Sequence, residues 1–153
     1  MVILRDSREH TPLEFPEDIE VQIEALPVGD YMVRLSDGRV APIAIERKAL
    51  PDLWGSLTSG YPRFKEELAK AKELGIYLIL GIEASLSKVA QGFPRSDFAG
   101  ESMMRKLMTL WTRYGLQPVF CKNREELADF VAALFLAVER QYATGESQKI
   151  ETQ

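Results

Sequence analysis

Seven consecutive residues, Ile76-Tyr77-Leu78-Ile79-Leu80-Gly81-Ile82, contain no charged side chain. Such a run leaves no face for water, so it reads as a central strand covered on both sides, the habit of parallel strands in α/β folds. The flanking periodicities agree. Pro62 to Leu74 carries Phe64, Leu68 and Ala71 on one helical face with Glu66 and Lys70 at i,i+4, and Gly75 is a fitting C-cap.

Ahead of this segment the signals are those of strands. Val2-Ile3-Leu4 is a short apolar run ending at Asp6. From Asp18 to Leu26, residues Ile19, Val21, Ile23 and Ala25 alternate onto one face, the pattern of a half-exposed strand, and Pro27 stops it. Val28-Gly29-Asp30 turns into Tyr31 to Leu35. Ser36-Asp37-Gly38-Arg39 carries the Asp-Gly hairpin signal, and the return strand runs from Val40 through Ile43 and Ile45 into Glu46-Arg47-Lys48.

Leu50, Leu53, Trp54 and Leu57 then predict a short helix closed by Ser59-Gly60. Residues 85–100 read as irregular, Gly- and Pro-containing chain. Met104, Leu107, Met108 and Trp111 mark another helix, followed by a strand from Gln117 to Cys121. Asn123 and Glu126 form a capping box for a last helix bearing Leu127, Phe130, Val131, Leu134, Phe135 and Val138. Leu136 and several alanines widen its apolar arc beyond what one-sided packing needs. Phe130, Val131, Leu134, Phe135 and Val138 are therefore candidates for a subunit interface. Strands followed by alternating helices and strands predict a mixed-sheet α/β sandwich. Residues 1–142 are expected to form one domain and 143–153 a flexible tail.

Composition narrows the function classes. With 153 residues the chain fits one domain. Its longest apolar run within a predicted helix, Phe130 to Val138, is too short to cross a bilayer. The single cysteine, Cys121, and the absence of a signal-like start fit a cytoplasmic, nucleoid-associated or nuclear protein rather than a secreted one. The net charge is −4. That balance argues against a charge-driven, sequence-blind nucleic-acid binder, but leaves room for an enzyme with a local basic patch and acids for a metal.

The residues with chemistry are Gly29-Asp30 and, after fifteen intervening residues, Glu46-Arg47-Lys48. On a strand, i and i+2 share a face, so Glu46 and Lys48 point together and Arg47 away. The hairpin brings Asp30 back beside Glu46. Two converging carboxylates suit a hard cation such as Mg²⁺ or Mn²⁺, and a neighbouring lysine can orient a water or stabilise developing negative charge. Taken alone, these residues leave two readings open, a phosphodiester-cleaving site and a solvated strand end. His10 reads as an exposed loop residue and Cys121 as a buried small hydrophobe.

The same residues resemble the nuclease domain of the XPF/Rad-type structure-specific endonucleases, whose signature is Gly-Asp, a variable gap, Glu-Arg-Lys, three residues and Asp. Here it stands as Gly29-Asp30, Glu46-Arg47-Lys48, Ala49-Leu50-Pro51 and Asp52. Asp6-Ser7-Arg8-Glu9 is similar to the family's Asp-x-Arg-Glu, and Leu53-Trp54-Gly55-Ser56-Leu57 to the segment after the signature.

The resemblance, over roughly residues 1–142, implies a restriction-endonuclease-like fold of the PD-(D/E)xK kind. It implies a Mg²⁺- or Mn²⁺-dependent endonuclease acting on branched, flapped or forked DNA in repair or recombination. Asp30 and Glu46 would be metal ligands, Asp6 a further acid, and Lys48 the catalytic lysine. Arg8, Glu9, Arg47 and Asp52 would complete the charged cluster. Arg8, Arg47, Arg63 and Lys65 are candidate DNA contacts. A homodimer or heterodimer through the nuclease domain is implied too, and a catalytically silent scaffold or a general junction-resolving nuclease are the alternatives. Two departures stand out. The family's tandem helix-hairpin-helix domain is not among these residues, and the family's Gly-Arg stretch is replaced by Ser59-Gly60-Tyr61-Pro62-Arg63.

Overall fold

The computed structural model describes residues 1–92 and 100–144. Chain order is β1 (Val2–Asp6), β2 (Glu20–Glu24), β3 (Tyr31–Arg34), β4 (Ile43–Lys48), α1 (Leu50–Leu57), α2 (Tyr61–Glu73), β5 (Tyr77–Ile82), α3 (Leu86–Ala90), α4 (Gly100–Tyr114), β6 (Gln117–Phe120) and α5 (Arg124–Thr144). The strands form one mixed sheet in the order β2-β1-β3-β4-β5-β6. β1 runs parallel to β2 and antiparallel to β3. β4 is antiparallel to β3 and parallel to β5, which is parallel to β6. The apolar run does become a buried strand, β5, between β4 and β6.

Helices cover both faces. On one side Leu53, Leu57, Phe64, Leu68, Met103, Leu107 and Leu110 pack over Leu4, Met32, Ala44, Leu80 and Ile82. On the other, Leu127, Ala128, Val131, Phe135 and Val138 of α5 pack over Ile3, Tyr31, Val33, Ile45 and Ile79. Gly81 lets α5 sink into the sheet, because a Cβ there would stand 2.8 Å from Leu127 Cδ1.

That depth corrects the reading of the last helix. Val131 and Phe135 are fully buried and Val138 nearly so, all against the chain's own sheet, while Phe130 and Leu134 are partly buried against the same core. Only Leu136, at 43% exposure, leaves a large apolar side chain of this helix in the open. The helix also runs through Thr144, two residues into the expected tail, and residues 145–153 lie outside the described residues.

Other differences have similar causes. β2 is the sheet's outer strand and its apolar face is open, with Ile23 60% exposed. The α5 core reaches the neighbouring β1 through Ile3 but does not include Val21 or Ile23. In α4 the buried stripe is Met103, Leu107 and Leu110, with Met104 and Met108 partly covered and Trp111 exposed. Both sets of apolar residues lie at helical spacing, and packing beside α3 and α1 chooses between them. The stretch read as irregular contains α3, capped by Ser85 Oγ accepting from Lys88 N–H at 3.1 Å, and residues 93–99 of it lie outside the described residues.

Candidate active site

The Gly-Asp turn is fixed by sterics. Gly29 has φ +73°, and a Cβ on it would lie 3.0 Å from Ala44 Cβ and 3.1 Å from Ile45 O, so only glycine lets the turn lie on β4. Asp30 N–H then donates to Ile45 O (2.7 Å), and Arg47 N–H donates to Asp30 Oδ2 (2.7 Å). With Tyr31 opposite Ile45, the antiparallel register sets Asp30 beside Glu46. Glu46 and Lys48 share a face as the two-residue period requires, with Lys48 Nζ 3.6 Å from Glu46 Oε1.

These two acids are poorly compensated. Burial pushes Glu46 up to about 8, and the like charge of Asp30 adds to that against the opposing pull of Lys48. Burial likewise pushes Asp30 up to about 6, against the hydrogen bond from Arg47 N–H.

The opposite face of β4 carries a directly hydrogen-bonded network. Arg47 donates from Nε and Nη2 to Glu9 (2.9 Å each) and from Nη1 to Glu83 (2.9 Å), with all three side chains less than 10% exposed. Burial opposes ionisation of Glu9, but the bonds and charge of Arg47 outweigh it and hold Glu9 below its ordinary value. The loop bearing Glu9 is tied down by Leu13 N–H donating to Tyr31 Oη (2.7 Å) and by Arg124 donating to Thr11 O and Pro12 O.

Asp30, Glu46 and Lys48 face a cleft of about 700 Å³, which Arg8, Glu9, His10, Arg47, Asp52, Arg63, Phe64 and Glu67 also line. The structure thus gathers most of the expected cluster. Arg63 is in it; Lys65 is not, lying instead with its Nζ 5.0 Å from the Tyr61 ring centroid. Asp6 is buried apart, accepting from Leu26 N–H (2.8 Å), Arg8 Nε (2.9 Å) and Arg8 N–H (3.3 Å). Its carboxyl is pushed up by burial, but these bonds outweigh that and leave it below the usual range. It lines a smaller cavity together with Asp30, Glu46 and Glu67.

Two residues escaped sequence reasoning. Glu83 follows the last β5 residue, and its N–H donates to Lys48 O (2.9 Å), so the parallel register of β4 and β5 places it beside the Glu-Arg-Lys end. Glu67 projects from α2 into both cavities, one helical turn after Phe64. The spacing Gly60, Phe64, Glu67 was the available signal for it.

Among the described residues, no group of three or more His, Cys, Asp or Glu side chains is placed to hold a metal ion. The two acids that do converge present only hard oxygen donors and lack a full counter-charge. That fits Mg²⁺ or Mn²⁺, which Asp30 and Glu46 would hold with water and a phosphate oxygen in the remaining positions.

The family model that matches the chain is the ERCC4 domain, over residues 5–134. Two similar solved structures are XPF from Aeropyrum pernix and XPF from Aeropyrum pernix in complex with DNA. Both are 23% identical, with TM-scores of 0.70 and 0.69. The first match covers 100% of this chain and 73% of the other, and the second covers 90% and 65%. At this identity the likeness is one of fold, and it agrees with the expected restriction-endonuclease-like mixed sheet. No curated protein matches.

Proposed function

This chain belongs to the ERCC4 domain family, and from that premise we propose that it is a divalent-metal-dependent endonuclease hydrolysing DNA phosphodiesters at branched, flapped or forked positions, in repair or recombination. The observation that carries the proposal is the pair of half-buried, mutually repelling carboxylates, Asp30 and Glu46, beside Lys48 on the wall of an open cleft. A scaffold has no use for so costly an arrangement, whereas a cation and a phosphate both relieve it.

A bound Mg²⁺ or Mn²⁺ supplies Lewis acidity toward the phosphate and a more acidic water. The protein's own part is positional. Asp30 is held by the Arg47 N–H, so its carboxylate needs little reorganisation, and β4 sets Glu46 and Lys48 on one face. Lys48, with its ammonium 5.7 Å from the Phe64 ring centroid, orients the attacking water and offsets negative charge gathering on the phosphorus oxygens. The P–O3′ bond breaks, leaving a 5′-phosphate. Arg8 and Arg63 line the same cleft and meet flanking phosphates. Arg47 does not reach DNA in this reading, because Glu9 and Glu83 hold its guanidinium. Association with a second nuclease-domain chain belongs to the same proposal.

The test is cleavage of end-labelled flap, fork, four-way junction, duplex and single-stranded DNA with Mg²⁺, Mn²⁺ or EDTA, beside Glu46→Ala. Metal-dependent cutting of flaps or forks that Glu46→Ala loses is expected. Cutting that persists in EDTA or in Glu46→Ala would overturn the assignment.

A further inference from the structure

Behind α2, away from the catalytic cleft, lies a second groove of about 480 Å³ between α2, the start of β5 and the end of α4. Its floor is apolar: Leu68, Ala69, Ala71, Ile76, Leu78 and Leu116. Its rim holds Lys65, Lys72 and Arg113 with Tyr77 and Tyr114, and none of its described lining residues is acidic. In a chain with 23 acidic and 19 basic residues, that is a local reversal of sign.

The aromatic rings are available for stacking. Tyr77 is 47% and Tyr114 45% exposed, and Tyr77 Oη donates to Gln117 Oε1 (3.1 Å), which fixes one ring upright at the strand edge. Lys65, Lys72 and Arg113 make no ion pair among the described residues. Seven residues of helix separate Lys65 from Lys72, about 10 Å along the groove, a span of one to two nucleotide steps.

The groove lies on the other side of α2 from the cleft. Gly60, Arg63 and Phe64 on one side of α2 line the cleft, while Lys65, Leu68 and Lys72 on the other line the groove. Tyr61 stands at the start of α2, with Lys106 Nζ 4.3 Å and Lys65 Nζ 5.0 Å from its ring centroid. The Tyr61 phenol also feels Tyr114 and Arg113 at the groove's end.

We propose that this groove binds a single-stranded DNA segment of the branched substrate, with bases on Tyr77 and Tyr114 and phosphates on Lys65, Lys72 and Arg113. Apolar floor, aromatic rims and unpaired cations are the parts from which sequence-tolerant single-strand sites are built. A duplex is too wide to enter and would present no base face to either ring. The proposal rests on the nuclease reading for its biological sense, but binding is measured without cleavage, so the two fail separately.

The test is fluorescence anisotropy with a labelled twelve-residue oligothymidylate and a duplex of the same length, in EDTA. Variants are Tyr77→Ala with Tyr114→Ala, and Arg113→Gln, each checked for native circular dichroism. Removing the rings is expected to weaken oligothymidylate binding at least about 5-fold per stacked base. Arg113→Gln should lower the slope of log affinity against log salt by about 0.7. Duplex affinity should change in neither. Photocrosslinking of 5-iodouracil DNA to Tyr77 or Tyr114 would add direct support. Three results overturn the proposal: no oligothymidylate binding at roughly 100 µM protein, unchanged affinity in the double variant, or equal loss on duplex. The first would leave a protein segment as the groove's occupant. If the wild type binds through the tyrosines yet cuts no DNA, the groove stands and the nuclease reading falls.

Discussion

Two faces of one strand end set three ionised residues to opposite uses. On one face Arg47 lies between Glu9 and Glu83, each at 2.9 Å, and its guanidinium hydrogen-bonds both carboxylates. On the other, Asp30 and Glu46 share one lysine at 3.6 Å from Glu46, and both are pushed toward the neutral acid. The first cluster is complete as it stands, and behaves as a clamp joining the loop after β1 to β4 and to the end of β5. The second is complete only with a further positive charge. Each face holds two carboxylates and one cation, so bonding geometry rather than charge count separates scaffold from site: Arg47 bonds both of its acids at 2.9 Å, whereas Lys48 approaches Glu46 only to 3.6 Å.

The sharpest way to break this comparison is to neutralise one charged side chain on each face. Asp30→Asn or Glu46→Gln should lower cleavage by at least about 10³-fold, several kcal/mol of transition-state stabilisation, while the circular dichroism stays native. Arg47→Met should do the opposite kind of damage. It strands two buried carboxylates and should cost about 3–5 kcal/mol in urea denaturation. If Arg47→Met leaves stability unchanged, the clamp is not a clamp.

A pH series separates the faces more finely. The folded chain holds the Glu46 proton up to about 8, whereas an unperturbed glutamate releases it at 4.5. The folded state therefore binds more protons between these values, so stability falls as pH rises through the window and the whole penalty is present above pH 8. Glu46→Gln should accordingly raise the melting temperature in EDTA at pH 8.5 and change it little at pH 4. The smallest expected effect is Glu83→Gln, which keeps one hydrogen bond to Arg47 and should cost about 1 kcal/mol by the same denaturation.

Much of the site was legible in the sequence because it is local. Gly29-Asp30 and Glu46-Arg47-Lys48 are brought together by a single hairpin, and the two-residue period alone puts Arg47 on the other face. The central strand β5 announced itself by composition. What sequence could not show depends on depth and on contacts distant along the chain. Val131 and Phe135 look like interface residues until Gly81 lets the helix sink into the sheet. Asp6 accepts from Leu26 N–H, twenty residues along the chain, a partner that the spacing of the motif does not reveal. Glu83 lies 36 residues from Arg47, and only the parallel register of β4 and β5 makes them neighbours.

The most direct test of the central claim is thermal melting at pH 8.5 of the wild type and Glu46→Gln, with Mn²⁺ and with EDTA. The wild type should gain stability from Mn²⁺ by mass action at its two carboxylates, and Glu46→Gln should gain little or nothing. Equal gains in both proteins, or no gain in the wild type, would contradict the assignment of Asp30 and Glu46 as the cation site.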